Sequence, residues 1–465
     1  MSPTRSLTLV VASALFMESL DSTVIATSLA AIARDLSVDP ITLKLAFTAY
    51  YVALAIFIPV SGWCADRFGA KTVFRAAIGV FTAASIGCAL AWNLPSLVAG
   101  RFLQGLGGAM MVPVGRLILL RVIPKREMVT AMAWMSIPAL FAPVMGPPVG
   151  GFITTYYHWR GIFWLNVPVG IAGMALASAL VPQVFGEVVR PLDVKGFALT
   201  AVGLSLTVFG FTLGGANAAE LPAALAMAGC GLALVALYVR HARRTEHPII
   251  ELRLLRIPTF RIAMSGGILF RLSTGAIPFL LPLMLQVGFG LSPFQSGMLT
   301  FASAFGALTM KLTAAPILRR FGFKHVLIVN AVASAVLVAV SALFTAATPH
   351  AVIVSVLLVA GFLRSLQFTS LNTLGYCDID PGHMSQSTSF VGVVQQLALS
   401  SGVAVAALVL DLLRAADGRT ALLPSDFSIA FVVIGAIAVA SMVSFFRLAP
   451  DAGSEVSGHR PGGGG

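Results

Sequence analysis

An all-helical integral membrane protein of fourteen spans is the fold class that this sequence predicts, on three observations. Hydrophobic residues make up 58% of the chain and charged residues 10%, with a mean hydropathy of +0.93. The apolar runs are long and continuous, whereas barrel strands would alternate over segments of about ten residues. At about 20 residues per span, the 465 residues hold twelve to fourteen helices. Fourteen can be counted, at 8–33, 43–66, 73–92, 95–119, 130–156, 161–182, 194–214, 221–240, 259–288, 292–318, 323–345, 350–375, 386–412 and 427–447.

The basic residues orient these spans. Of the 30 Lys and Arg, 20 fall on one side and 5 on the other, while Arg101, Arg116, Arg271, Lys311 and Arg364 lie within spans. The positive-inside rule places the richer side, and with it both termini, in the cytoplasm. It also accounts for the net charge of +12 and for the crowded Arg240, Arg243, Arg244, Arg253, Arg256 and Arg261, so no nucleic-acid partner is invoked.

In the first span, Glu18-Ser19-Leu20-Asp21-Ser22-Thr23 sets two carboxylates inside apolar helix. A carboxylate near the bilayer centre costs at least ~2.5 kcal/mol on insertion scales, so it must face protein, water or a partner charge. Three residues apart, the two stand about 60° apart around a helix, and both can look into one cavity and share a proton. A run this long with acids at its centre reads as a retained helix rather than a cleaved leader.

Between the second and third spans, Gly62-Trp63-Cys64-Ala65-Asp66-Arg67-Phe68-Gly69-Ala70-Lys71 forms a tight charged turn. Asp66 can complement a helix amino-terminus or a neighbouring arginine, which makes the turn an inner-side latch built on Gly62, Asp66, Arg67, Gly69 and Lys71. The fourth span carries Arg101-Phe102-Leu103-Gln104-Gly105-Leu106-Gly107-Gly108-Ala109, with Arg and Gln one turn apart on a helix thinned by glycine. A buried arginine keeps its charge. It can hold a nearby acid ionised or serve as a structural partner alone. In the fifth span, Ala142-Pro143-Val144-Met145-Gly146-Pro147-Pro148-Val149-Gly150-Gly151 combines three prolines with three glycines, so the helix bends and packs closely. Trp159-Arg160-Gly161-Ile162-Phe163-Trp164-Leu165-Asn166-Val167-Pro168-Val169-Gly170 leads into the sixth.

These stretches resemble the motifs of a known family. The turn at 62–71 is similar to the cytoplasmic signature loop of the major facilitator superfamily, and 101–109 to its fourth-helix motif. The run 142–151, with Ala142 where glycine is usual, resembles the motif associated with its antiporters. Residues 159–170, together with Leu20-Asp21-Ser22-Thr23, resemble the fourteen-span drug/proton antiporter branch, the EmrB/QacA-like proteins. The resemblance implies a major facilitator fold and a proton-coupled multidrug efflux antiporter of a bacterial cytoplasmic (inner) membrane. It also implies proton coupling by Asp21 with Arg101, to which the neighbouring Glu18 is added on its position alone, and an antiporter motif at Gly146, Pro147, Gly150 and Gly151. Protons serve as coupling ion, no other cofactor is expected, and the chain is expected to act as a monomer in the lipid bilayer on a small-molecule substrate.

Two six-helix bundles, 1–182 and 258–447, are expected to flank two additional spans with basic loops at 183–257, with a disordered tail at 448–465. The second bundle repeats the first weakly. Arg319-Arg320-Phe321-Gly322-Phe323-Lys324 echoes residues 66–71 without the acid, and Arg364 with Gln367 echoes Arg101 with Gln104. Repeated halves around a midplane site are the transporter architecture. Arg271, Lys311 and Arg364 stand in spans that hold no acid, and each is costly alone. Lys311 lies nearer the inner end and can snorkel. The two arginines are expected to face Glu18 and Asp21 across a shared cavity. Gln104, Gln367, Asn372, Gln395, Gln396 and Lys311 are the further substrate-binding candidates. Gln395 and Gln396, about 100° apart on a helix, cannot both face it.

Other classes fit poorly. Cys64, Cys88, Cys230 and Cys377 lie in spans or at inner ends, so no disulfide framework is expected. There is no GxxxxGK[ST] loop for ATP and no His/Cys/carboxylate cluster at metal-ligand spacing, so neither an ATP-driven pump nor an enzyme is indicated. A channel would not need repeated halves with latches, and a sensor would carry a soluble output domain. Substrate chemistry stays open: the resemblance implies lipophilic or cationic drugs, while three intramembrane basic residues suit an anionic metabolite such as a carboxylate.

Overall fold

Every regular element among the described residues is helical. The computed structural model describes residues 3–186, 191–214, 221–380, 383–419 and 421–459; Arg190 and the terminal glycines fall outside them. In chain order the long helices of the first half are α1 (Arg5–Asp35), α2 (Pro40–Phe68), α3 (Ala70–Ala89), α4 (Leu94–Val122), α5 (Lys125–Tyr156) and α6 (Gly161–Leu180). Then come α7 (Val194–Leu213), α8 (Leu221–Ala242), α9 (Pro258–Gly288), α10 (Pro293–Leu343), α11 (His350–Tyr376), α12 (Met384–Ala416) and α13 (Pro424–Phe445). All but α5 make up the twelve that are long and apolar enough to cross a membrane among the described residues.

Helix α10 has 51 residues, and a straight helix of that length would run about 77 Å, more than twice the ~30 Å hydrocarbon core. It is broken at Gly322, whose φ of 71° and ψ of 164° are not helical. Gly69, between α2 and α3, has φ 85° and ψ 134°. Only glycine adopts such backbone freely, so the repeat seen in the two basic-Phe-Gly turns is also a repeat of conformation. Side-chain caps set several starts: Asn93 with Ser96 opens α4, Ser292 with Gln295 opens α10, and Asp193 opens α7.

Close packing follows the small residues. Helix α5, with Pro138, Pro143, Pro147 and Pro148 inside it, lies between α1 of the first half and α10 of the second. A side chain at Gly146 would strike Thr23, and one at Gly150 would come within 2.5 Å of the Val24 carbonyl oxygen. Gly151 is pressed against Pro293 and Phe294, and Gly297 against the Pro147 carbonyl. The antiporter-like run is therefore the seam between halves. A second seam joins α2 to α12, and α7, paired with α8, lies across it through Val208 against Val52 and Ile56.

The apolar core is continuous at one end of the molecule, where Ile32, Phe47, Leu283, Leu410 and Phe427 of both halves share a cluster. Elsewhere it divides into a first-half cluster around Phe74 and Ile118 and a second-half cluster around Phe260 and Phe323. The tail departs from the expectation of disorder as far as residue 459. Gly453 packs on Phe323, and the His459 Nδ1 lies 3.1 Å from the Arg319 carbonyl oxygen, which covers the Gly322 break.

Candidate functional site

Asp21 is 4% exposed and accepts hydrogen bonds from three side chains. Arg101 Nη1 donates to its Oδ2 at 2.5 Å, while Gln104 Nε2 and Asn166 Nδ2 donate to its Oδ1 at 3.1 and 2.7 Å. The same two amides donate to Ser85 Oγ at 2.7 and 2.9 Å, and Arg101 also donates to Gln104 Oε1 at 2.7 Å. Helices α1, α3, α4 and α6 are thereby tied at one buried node. The guanidinium of Arg101 stacks 4.3 Å above the Tyr50 ring, and the Tyr50 hydroxyl donates to Glu18 Oε1 at 3.0 Å. Glu18 and Asp21 are thus joined through the Arg101–Tyr50 pair, Asp21 on the guanidinium and Glu18 on the phenol.

A cavity of about 320 Å³ lies between the halves, reached from α1, α2, α5, α9, α10 and α11. Ser22, Thr23, Ala26 and Thr27 bring α1 to its wall from the residue next to Asp21 onward. Of the substrate-binding candidates only Lys311 and Arg364 line it. Lys311 Nζ donates to Thr369 Oγ1 at 2.8 Å and Arg364 Nη2 to Ser303 Oγ at 2.9 Å. Arg271 is fully buried elsewhere, donating to Asn372 Oδ1 at 2.9 Å and lying 5.6 Å from the Phe368 ring centre. Gln367 Nε2 donates to the Leu327 carbonyl at 3.1 Å, and its Oε1 accepts from Asn330 at 2.9 Å. Gln395 and Gln396 are half-buried on α12 outside the cavity wall.

Of the two partners open to Asp66, the structure has the arginine: Arg121 Nη2 at the end of α4 donates to Asp66 Oδ1 at 2.6 Å. The chain at 183–186 crosses this turn, with Gly186 N bonded to the Asp66 carbonyl and Gln183 on Phe68 and Thr72. Gly62 has open space around it and Arg67 is exposed, so Asp66 and Gly69 carry the turn's contacts.

At the end with the continuous core, charges clasp the two halves together. Lys44 Nζ donates to Asp411 Oδ2 at 2.9 Å, both nearly inaccessible, and Arg414 bridges Asp39 and Asp411. Sequence reading passed over this clasp because all four lie near span ends, where charge is unremarkable. It also missed Asn166, Ser85 and Tyr50, although Asn166 lies within the quoted 159–170 stretch.

Among the described residues, no group of three or more His, Cys, Asp or Glu could hold a metal ion. The pattern of the Major Facilitator Superfamily matches residues 11–403. "Putative multidrug resistance protein MdtD" of Salmonella typhimurium is 36% identical over 408 residues, covering 87% of this chain and 86% of that protein. In solved structures the same fold recurs at 14% identity in a D-xylose–proton symporter, with a TM-score of 0.66 over 96% of this chain and 98% of that one. The nucleoside transporter NupG matches at 13% identity and a TM-score of 0.62, over 97% and 100%. The chain belongs to the Major Facilitator Superfamily, and it is a membrane transporter rather than an enzyme.

Proposed function

We propose that this chain is a proton-coupled antiporter of the fourteen-span type that exports small organic molecules across a bacterial inner membrane by alternating access. One observation carries the coupling: Asp21, locked by Arg101, stands on α1 directly before Ser22 and Thr23 of the cavity wall. Protonating Asp21 removes the charge that Arg101 holds, loosens the node and frees α1 to shift at the cavity wall. Fourteen crossings are supported by α5, whose 32 residues exceed the about 20 that a span needs, and by the Gly322 break, which divides α10 into two membrane-length parts. The 20 basic residues on one side favour cytoplasmic termini. That orientation puts the clasped end outside and the divided core inside, an arrangement suited to receiving a cytoplasmic substrate. The name of the Salmonella relatives supports drug-like cargo.

Reconstituted protein under an imposed pH gradient tests this reading. 2-Naphthoate should accumulate against its gradient, and Asp21→Asn should reduce uptake to the protein-free rate while the variant still folds. Uphill transport that survives in Asp21→Asn liposomes rules out Asp21 as the coupling group.

A further inference from the structure

We infer that the cavity between the halves is a binding site for an organic carboxylate with an apolar body, its acid group held jointly by Arg364 and Lys311; this rests on the transporter reading above. The wall contains two cations and no acid. Both cations are satisfied only by neutral hydroxyls, Arg364 by Ser303 and Lys311 by Thr369, and neither has an acidic partner within ion-pair distance among the described residues. Arg364, held at membrane depth without a counter-charge, is expensive, and a carboxylate shared between it and the more exposed Lys311 supplies the missing charge through charge-assisted hydrogen bonds.

The nearest acids are unable to fill that role. Asp21 is enclosed by Arg101, Gln104 and Asn166, and Glu18 is held by Tyr50 and Ser19. The rest of the lining is largely apolar, with Leu140, Pro143, Val144, Ile277, Leu281 and Leu308, its other polar groups are neutral hydroxyls such as Ser22, Thr23 and Thr27, and Tyr51 is its one aromatic ring. A lipophilic cation would meet two like charges, no acid and little aromatic surface, so the same geometry that attracts a carboxylate rejects its cationic counterpart.

The test uses three probes of one shape and different charge: 2-naphthoate, 2-naphthamide and 2-naphthamidinium. They are titrated calorimetrically into the full-length protein in lipid nanodiscs, with empty nanodiscs as control. We expect 2-naphthoate to bind at least roughly ten-fold more tightly than the amide, the scale of a charge-assisted bond, and the amidinium not to bind. Lys311→Gln, at an exposed position, should weaken 2-naphthoate by about ten-fold and leave the amide within about two-fold. Arg364→Gln should do the same, with Arg364→Lys recovering part of the loss because charge returns without the planar fork. If the amide or amidinium binds as tightly as 2-naphthoate, or if Lys311→Gln weakens all three alike, the anion site is wrong. Charge-selective binding that is never accompanied by uptake into proteoliposomes keeps the site and overturns the export reading instead.

Discussion

Arg101 with Gln104 and Arg364 with Gln367 share one spacing at equivalent places in the two halves, yet only the first pair meets an acid. In the first half Arg101 and Gln104 both turn onto Asp21. In the second, the amide turns away to Asn330 and the Leu327 carbonyl, and the arginine projects into the cavity beside Ser303. A repeated motif therefore specifies where a guanidinium stands on its helix, while its partners differ: Arg101 is bound to a carboxylate and Arg364 lines the cavity beside a hydroxyl.

The sharpest way to break that contrast is to delete each arginine in turn. Arg101→Met leaves Asp21 buried with only amide donors, and removing one partner of a buried pair costs about 3–5 kcal/mol. Arg364→Met removes a cation with no acidic partner and replaces it with an apolar side chain, so its cost should stay within about 1 kcal/mol. Thermal unfolding of the purified variants should show a large loss for the first and little change for the second. Adding Asp21→Asn to Arg101→Met should restore much of the stability, since no charge is then left in the node. Equal losses for the two arginines would erase the distinction between brace and ligand.

The next largest effect lies in the turns that the halves do share. Gly69→Val and Gly322→Val each force a β-branched side chain into positive φ, at about 1–3 kcal/mol of backbone strain. A side chain at Gly69 also strikes the Gln183 amide, and one at Gly322 comes within 2.7 Å of the His459 ring. Comparable destabilisation at both sites is expected. A tolerated Gly322→Val would mean that the second turn can do without its glycine, and the structural repeat would extend only to sequence.

Much of this could be read before any coordinates. The solvent, the helical class, the two glycine turns and the close-packed α5 follow from hydropathy and from side-chain size, which act locally and leave plain marks. For Asp66 the sequence left a helix amino-terminus and a neighbouring arginine open, and the structure pairs it with Arg121. The direction in which each intramembrane side chain points was not. Arg271 and Arg364 look alike in sequence, but rotation by about 100° per residue sets which face of each helix reaches the cavity, and Arg271 ends on Asn372. Lys311, a substrate-binding candidate that could also have snorkelled out, lines the cavity. The Lys44–Asp411 clasp joins residues 367 apart, a distance no local pattern spans.

The smallest effect concerns the one feature that the first turn has and the second lacks, the acid. Asp66→Asn makes residues 66–69 resemble 319–322, and the Asp66–Arg121 pair that it weakens is about 28–29% exposed on each side. Exposed pairs contribute only about 0.2–1 kcal/mol, an equilibrium shift of at most about five-fold, so thermal stability should barely move. Both residues stand at the ends of α2 and α4, far along the chain from the α1, α10 and α11 residues of the cavity wall, so affinity for 2-naphthoate should stay within about two-fold of wild type. Turnover in proteoliposomes should change instead, because the pair holds α2 to α4 in this arrangement and helps to set how readily the helix ends separate. A loss of binding in proportion to the loss of transport would assign the turn to the substrate site and remove the latch from the first half altogether.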